Sequence, residues 1–261
     1  MSTDIDIKKV KGIFDLTGEI ALVTGAASGL GRAIALGLAA YGADLVLADI
    51  NEAGLEEVSH SIERETGKQV LTLRADISKE ADVSNMVKAA LNRFGTIDIC
   101  INNPGINCRK PILELSLEEY ERVINVNQKG VFLCVKEVGK VMVEQRKGKM
   151  INMASALGLI AMKNQAAYAS SKGAIIQLTK VLALEWAPFN VQVNAIAPGF
   201  IKTPLTDQLS PDYRQEAIEQ CPQERFAEID EIIGGAIFLA SRASSFVTGS
   251  SLIIDGGWTA R

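Results

Sequence analysis

Apolar runs rich in β-branched residues recur along the chain, and most are followed by a longer stretch of helical periodicity. Glu19–Thr24 (EIALVT), Asp44–Asp49 (DLVLAD), Val70–Ala75, Ile97–Asn102, Lys149–Ala154, Val191–Ala197 and Ser251–Asp255 read as strands. Leu30–Tyr41, Glu52–Glu65, Lys79–Phe94, Ala166–Trp186 and Glu228–Ser241 read as helices. Leu117–Gln145 reads as one long helical region, with Asn127 and Gly130 as the places where it would break. Near-continuous apolar strands separated by helices point to a parallel sheet buried on both faces. The expected fold is α/β: a single doubly wound parallel sheet of about seven strands with helices on both faces. No linker, composition break or repeat divides residues 1–261, so one domain is expected. Thr203–Arg225 is polar and weakly patterned. It is expected to serve as a substrate loop or lid, taken as about residues 199–225.

Composition narrows the classes. With 261 residues, 48% of them hydrophobic, the chain can bury a sizeable core. A formal net charge of −4 without a dense Lys/Arg block argues against nucleic acid or an anionic membrane as partner. Cys100, Cys108, Cys134 and Cys221 lack C-x-x-C spacing and read as free thiols in a reducing compartment. The single histidine, His60, lies in a polar helical run. That leaves no His-based metal cluster and argues against a Ser-His-Asp hydrolase, so no metal is expected. Met1–Asp15 carries charges throughout, and no apolar run reaches about 18 residues. A cytoplasmic location without a membrane span is expected.

Candidate chemistry begins where the first strand ends, at Thr24-Gly25-Ala26-Ala27-Ser28-Gly29-Leu30-Gly31-Arg32. Glycine permits a tight turn and lets phosphate oxygens approach the backbone. The helix behind it offers unpaired N–H groups at the positive end of its dipole. The spacing is G-x-x-x-G-x-G, not the commoner G-x-G-x-x-G. Asp49 ends the second strand, where a carboxylate can accept from a ribose diol and repel a 2′-phosphate. Its neighbours Ile50 and Asn51 are not basic, so NAD(H) is expected over NADP(H). Capping of the next helix is the alternative role for Asp49. Tyr168 and Lys172 stand four residues apart, on one face of an expected helix. A cation beside a phenol favours the phenolate and lowers its pKa. Such a pair can move a proton to or from an alcohol oxygen.

Thr24–Gly31, Asn102-Asn103-Pro104-Gly105, Asn127, Ser155, Tyr168-x-x-x-Lys172 and Pro198-Gly199 stand in the order and spacing of the short-chain dehydrogenase/reductase family. The chain resembles that family from about Phe14 onward. The resemblance implies a Rossmann fold and a dinucleotide held at the turn by Gly25, Ser28, Gly29, Leu30 and Gly31. It places Asp49 at the ribose, Asp76 and Ile77 at the adenine, and Asn103, Gly105, Pro198, Gly199, Ile201 and Thr203 toward the nicotinamide. It implies that Ser155 orients the substrate oxygen and Tyr168 is the acid/base. Lys172 would hold the nicotinamide ribose and lower the phenol's pKa, and Asn127 would support a water linking the lysine to solvent. Plainer roles exist for three of these: a strand-end cap for Ser155, a helix-breaking turn residue for Asn127, a core-edge tyrosine for Tyr168. Pro104 departs from the pattern, standing where the family usually has Ala. Without an N–H it removes any backbone donor at that position. The Tyr–Lys spacing is shorter than is usual in enoyl reductases of the family. Members are commonly homotetramers through two long helices, here Leu117–Gln145 and Ala166–Trp186.

Ile13–Gly18, Val126-Asn127-Gln128, Asn190–Asn194 and Asp255-Gly256-Gly257-Trp258 resemble the gluconate 5-dehydrogenase and 2-deoxy-gluconate dehydrogenase branch. That resemblance implies an NAD(H)-dependent enzyme interconverting a secondary alcohol and a ketone on a sugar acid or polyol. Arg109 matches an arginine recurring in the branch and, with Ser155, is the candidate substrate contact. A guanidinium there could pair with a carboxylate in bidentate fashion, with a solvated loop arginine as the alternative. The apolar stretch Ser155–Gln165 also suits a hydrophobic ketone, so a general carbonyl reductase is the second expectation. A 3-oxoacyl-carrier-protein reductase fits less well, because Asp49 argues against NADPH. A non-catalytic dinucleotide-sensing module is the reading from another class, and a sensor needs no proton relay.

Overall fold

The computed structural model describes residues 6, 7, 10 and 12–260, so most of the Met1–Asp15 reading lies outside the described residues. Seven strands form one sheet: β1 (Ile20–Thr24), β2 (Asp44–Asp49), β3 (Val70–Arg74), β4 (Ile99–Asn102), β5 (Gly148–Met153), β6 (Val191–Pro198) and β7 (Ser251–Ile254). Their spatial order is β3-β2-β1-β4-β5-β6-β7, with every neighbouring pair parallel. Each expected strand is present, with ends shifted by no more than two residues.

Strand residues alternate between two cores, as the twofold period of a strand requires. In β1, Ile20 and Leu22 enter one core while Ala21 and Val23 enter the other. The Leu22 core packs against α3 (Glu80–Phe94), α5 (Val131–Gln145) and α6 (Ala166–Trp186) through Met86, Val138 and Ile175. The Val23 core packs against α1 (Gly29–Ala40), α2 (Glu52–Thr66) and α9 (Ile233–Ala240) through Leu38, Val58 and Ile237. Burial on both faces is why the strands read as continuous apolar runs. Between the helices labelled α3 and α5, α4 spans Leu117–Ile124; α7 (Pro204–Asp207) and α8 (Pro211–Gln220) follow β6.

Three readings need correction. Leu117–Gln145 does not break at Asn127 and Gly130; a π-helical turn, Asn125–Gly130, joins α4 to α5 without interruption. A π-turn absorbs an extra residue and re-aims the side chains in it. Glu228–Ser241 begins as a 3₁₀ turn over Ile229–Ile232 before α9 takes over. Thr203–Arg225 contains α7 and α8, each opened by a proline in its first turn, and Ser210 caps the second.

The chain starts at β1, winds outward to β3, then crosses back to lay β4 on the other side of β1. That reversal opens a crevice at the carboxyl ends of β1 and β4, where ligands bind in sheets of this kind. A buried ladder fixes the crevice's floor: Asn102 donates to Asn152 Oδ1 (2.9 Å), Asn152 to Thr179 Oγ1 (3.0 Å), and Thr179 to Ile175 O (2.8 Å). It ties β4 and β5 to α6, the helix that carries Tyr168 and Lys172. No helix among the described residues is long and apolar enough to cross a membrane. All four cysteines are free thiols.

Candidate active site

A cavity of about 390 Å³ runs along the carboxyl ends of the central strands. At one end lies the glycine turn between β1 and α1. Gly25 has φ +65°, and a Cβ there would stand 2.6 Å from Asn103 O. A Cβ on Gly31 would stand 2.0 Å from Gly25 O, so Gly31 is what lets the helix close against the strand. Gly29 (φ +53°) has nothing within 4 Å of its missing side chain. Ser28 makes no side-chain cap hydrogen bond, and the first turn of α1 holds no acidic residue. The leading N–H groups of α1 are thus left for an anion, and a phosphate suits them. Gly25, Ser28, Gly29 and Leu30 line the cavity; Gly31 packs behind it.

Asp49 lines the cavity beside this turn. Its Oδ2 accepts from Ala27 N (3.1 Å) and its Oδ1 from Asn51 N (3.0 Å). The cap of α2 is Asn51, which accepts from Gly54 N, so the capping alternative for Asp49 is replaced by its neighbour. Each carboxylate oxygen keeps capacity for a further donor. Asp76 and Ile77 form the next part of the wall. Ser78 donates to Asp76, whose carboxyl is held below its usual range mainly by that bond.

Asn103, Pro104 and Gly105 continue the wall from the end of β4. Asn103 donates its backbone N–H to Thr24 Oγ1 (3.1 Å) and its amide to Gly25 O (3.3 Å), locking β4 to the turn. Pro104 contributes through its carbonyl, which accepts from Lys172 Nζ at 3.4 Å. The missing donor is therefore not the group this position uses. Pro198, Gly199, Ile201 and Thr203 line the cavity from the end of β6.

Ser155, Tyr168 and Lys172 meet at the other end. Ser155 follows β5, and its Oγ accepts from Leu157 N (3.1 Å). Lys172 is 2% exposed and donates to Met153 O at 2.7 Å, with its Nζ 5.7 Å from the centre of the Tyr168 ring. Burial holds this amine down at about 8. The sequence expectation for Tyr168 is corrected in sign. Burial pushes its phenol up by more than the hydrogen bond with Ser155 and the charge of Arg109 pull it down. Desolvation disfavours the phenolate, and spacing along a helix carries no information on it. Asn127 is fully buried in the π-turn and does not face the cavity. Its amide brackets Ile106, accepting from Ile106 N and donating to Ile106 O, both at 2.9 Å, and reaches Ser171 Oγ (3.3 Å). It therefore pins the loop after β4 to α6. Breaking a helix is not its role.

That loop carries Arg109 into the cavity wall. Arg109 is half-buried: its guanidinium stands 5.6 Å from the ring centre of Tyr213, and its Nε is buried without a partner. Around it the three stretches expected to wall the substrate, Ile106–Lys110, Ala156–Gln165 and Thr203–Arg225, each contribute a residue, joined by contacts that the sequence does not announce. Asn107 donates to Gln165 Oε1 (2.9 Å), Gln165 donates to Tyr213 Oη (3.1 Å), and Phe200 packs on Trp258 at 4.9 Å between ring centres. His60 is exposed on α2, away from this wall.

Comparison with known proteins places this geometry. Residues 25–259 match the family described as enoyl-(acyl carrier protein) reductase. The chain is 39% identical over 253 residues to 2-dehydro-3-deoxy-D-gluconate 5-dehydrogenase of Dickeya dadantii, covering 95% of this chain and 98% of that one. It is 38% identical over 242 residues to a 3-oxoacyl-[acyl-carrier-protein] reductase of Thermotoga maritima, covering 93% and 98%. A short-chain type dehydrogenase/reductase from Mycobacterium marinum superposes with a TM-score of 0.93 at 36% identity, covering 97% of this chain and 100% of that one. A gluconate 5-dehydrogenase from Burkholderia cenocepacia, solved with NADP and tartrate, superposes with a TM-score of 0.92 at 35% identity, covering 97% and 99%.

Proposed function

The chain belongs to the short-chain dehydrogenase/reductase family and is an oxidoreductase acting on CH–OH donors, and on that footing we propose that it interconverts a secondary alcohol and a ketone of a sugar acid or polyol, using NAD(H). The observation that carries this reading is the meeting of Ser155, Tyr168 and Lys172 at one end of a cavity whose other end is the glycine turn. The turn, Asp49, Asp76 and Asn103 would hold a dinucleotide, which supplies the hydride chemistry when bound. In oxidation the carbinol oxygen must shed a proton. Tyr168 takes it as phenolate and returns it in reduction, while the Ser155 hydroxyl orients the substrate oxygen. Lys172 would hold the ribose, the Ser155 hydrogen bond and the charge of Arg109 favour the phenolate, and Asn127 keeps the intervening loop in register.

Asp49 supports NAD(H), because its carboxylate lies on the cavity where a 2′-phosphate would approach. The cations among the cavity's described lining residues, Arg109 and Lys172, belong to the opposite end, where each faces the ring of a lining or neighbouring tyrosine. The Burkholderia cenocepacia relative was solved with NADP, so cofactor choice is decided by direct comparison. That relative also holds tartrate, a hydroxy acid, and Arg109 suits such an anion here. A second reading, a carbonyl reductase for hydrophobic ketones, is favoured by the aromatic wall in which Phe200 stacks on Phe226 at 5.0 Å. We further assign a cytoplasmic location and a homotetramer assembled through α5 and α6, where Phe132, Val181 and Leu184 are exposed. Light scattering tests the tetramer.

The test is a screen of sugar acids, polyols and ketones with NAD⁺ or NADH, and with the NADP pair, read at the reduced nicotinamide absorbance. Turnover of a sugar acid or polyol with at least a tenfold kcat/KM preference for the NAD pair supports the reading. Exclusive turnover of hydrophobic ketones selects the second reading. A strong preference for NADPH removes Asp49 from the argument, and NADH binding without turnover of any compound leaves a sensor.

A further inference from the structure

The segment between β6 and α9 is built differently from the rest of the chain. Its base is closed: Ala227 N donates to Phe200 O and Lys202 N to Ala227 O, both at 3.0 Å, and the Cys221 thiol packs on the carbonyls of Asp255 and Gly256. Between these fixed ends α7 and α8 carry a small cluster of their own, in which Leu209, Ala217 and Phe226 are buried against Phe200, Tyr213 and Ile218. That cluster is separate from both cores of the sheet. The outer face of α8 turns Asp212, Gln215, Glu216 and Glu219 to solvent. Elements held by few buried apolar contacts are the ones that open locally. The same segment covers part of the cavity, where Pro204 and Thr206 of α7 line it.

Tyr213 ties this segment to the walls across from it. Its phenol oxygen accepts from Gln165 Nε2 at 3.1 Å and turns its own hydrogen toward Met162 Sδ at 3.5 Å. Its ring meets Phe200 edge-on, 6.3 Å between centres, and faces the Arg109 guanidinium at 5.6 Å. Gln165 accepts in turn from the Asn107 amide at 2.9 Å. Gln165 is also the residue at which α6 starts, just ahead of Tyr168. Three walls therefore meet at this glutamine: the loop after β4, the start of α6, and α8. Gln165 is 2% exposed, so its bond to Tyr213 is shielded from water, and lifting α8 away would leave a buried amide donor unpaired.

We propose that Tyr213 and Gln165 latch α7 and α8 shut over the cavity, as positioning residues that make closure of this lid and the setting of the Asn107–Arg109 loop against the start of α6 a single event. Their effect on the reaction passes through the walls they join. The latch rests on the alcohol–ketone reading only for its kinetic consequence: a closed lid retains the ketone beside Tyr168.

The experiment is amide hydrogen exchange on the full chain, read by mass spectrometry on peptides covering Pro211–Gln220, with Gly148–Met153 and Val191–Pro198 as internal references. A helix of 10 residues lifted off its cluster does not keep its own hydrogen bonds, so exchange in α8 reports opening. Tyr213→Phe keeps the ring and removes only the phenol oxygen. It should raise exchange in α8 about five- to tenfold, the scale of one buried hydrogen bond, and leave the reference strands unchanged. Gln165→Leu should do the same, and adding Tyr213→Phe to it should change α8 exchange by less than about twofold, because both substitutions remove one contact. Unchanged exchange in Tyr213→Phe, equal increases in the reference strands, or effects of the two substitutions that multiply would overturn the latch. With NADH and a ketone that the wild type reduces, Tyr213→Phe should raise KM at least about fivefold and lower kcat by less than about twofold. A loss confined to kcat would place Tyr213 in the chemistry and overturn its role as a latch. If no ketone is reduced, the alcohol–ketone reading fails by itself, and the exchange measurement still decides the latch.

Discussion

Lys172 offers a measurement in which chemistry and stability pull in opposite directions. Its ammonium is 2% exposed, and burial lowers its pKa from 10.5 to about 8. At about 1.4 kcal/mol per pKa unit, keeping the group charged at pH 7 costs the fold about 3 kcal/mol. The sign follows from proton counting. The unfolded chain binds more protons than the folded one between pH 8 and 10.5, so the stability of the folded state rises with pH through that window. The penalty is fully present below pH 8. Raising the pH from 7 to 9.5 should relieve about 2 kcal/mol of it. Methionine at this position carries no charge and does not titrate. Lys172→Met should therefore be the more stable protein at pH 7, and the gap to the wild type should shrink by about 2 kcal/mol by pH 9.5. The variant leaves Met153 O and Pro104 O without their donor. That loss offsets part of the gain at every pH, so the closing of the gap is the diagnostic quantity. Urea unfolding followed by fluorescence of Trp186 and Trp258, at fixed protein concentration, provides it. A gap that stays constant from pH 7 to 9.5 would refute the reasoning, because it would mean that Lys172 has the same proton affinity folded and unfolded. A buried cation retained at such a cost is what a functional site looks like from the stability side.

Further outcomes follow from the same geometry. Gly31→Ala should abolish NADH binding in fluorescence titration, since its Cβ would stand 2.0 Å from a backbone oxygen that has no room to retreat; NADH affinity within threefold of wild type would contradict the packing. Because Arg109 lowers the Tyr168 pKa, Arg109→Gln should move the ascending limb of the kcat/KM profile for oxidation of a neutral alcohol, where activity grows as Tyr168 ionises, to higher pH; an unmoved or lowered limb would exclude that influence.

The strands were legible because each is buried on both faces and so has few polar positions to confuse the pattern. The glycine turn and the Tyr168–Lys172 pair were legible because their spacing maps directly onto local geometry. What escaped the sequence depends on contacts between distant segments. Asn107 and Gln165 are 58 positions apart, and Gln165 and Tyr213 are 48 apart, so no local pattern announces their relay. Asn127 and Gly130 mark the π-turn as irregular in the sequence, but only the bonds of Asn127 and the packing of Gly130 on Ile77 show that the helix runs on through it. The direction of the Tyr168 shift is hidden for a related reason: the i, i+4 rule places the cation and is silent on how deeply both groups are buried. Asp49 admits two roles in the sequence, and the helix cap falls to Asn51 because its side chain reaches Gly54 N three residues on.

Tyr168 is the group proposed to exchange a proton with the substrate oxygen. The direct test is a single-turnover experiment on Tyr168→Phe, with NADH binding measured on the same sample and hydride transfer followed by loss of nicotinamide absorbance in the presence of a ketone that the wild type reduces. The predicted result is NADH binding within a few-fold of wild type and hydride transfer slowed by at least about 100-fold, the scale of general acid–base catalysis. Hydride transfer at near wild-type rate in that variant would contradict the assignment.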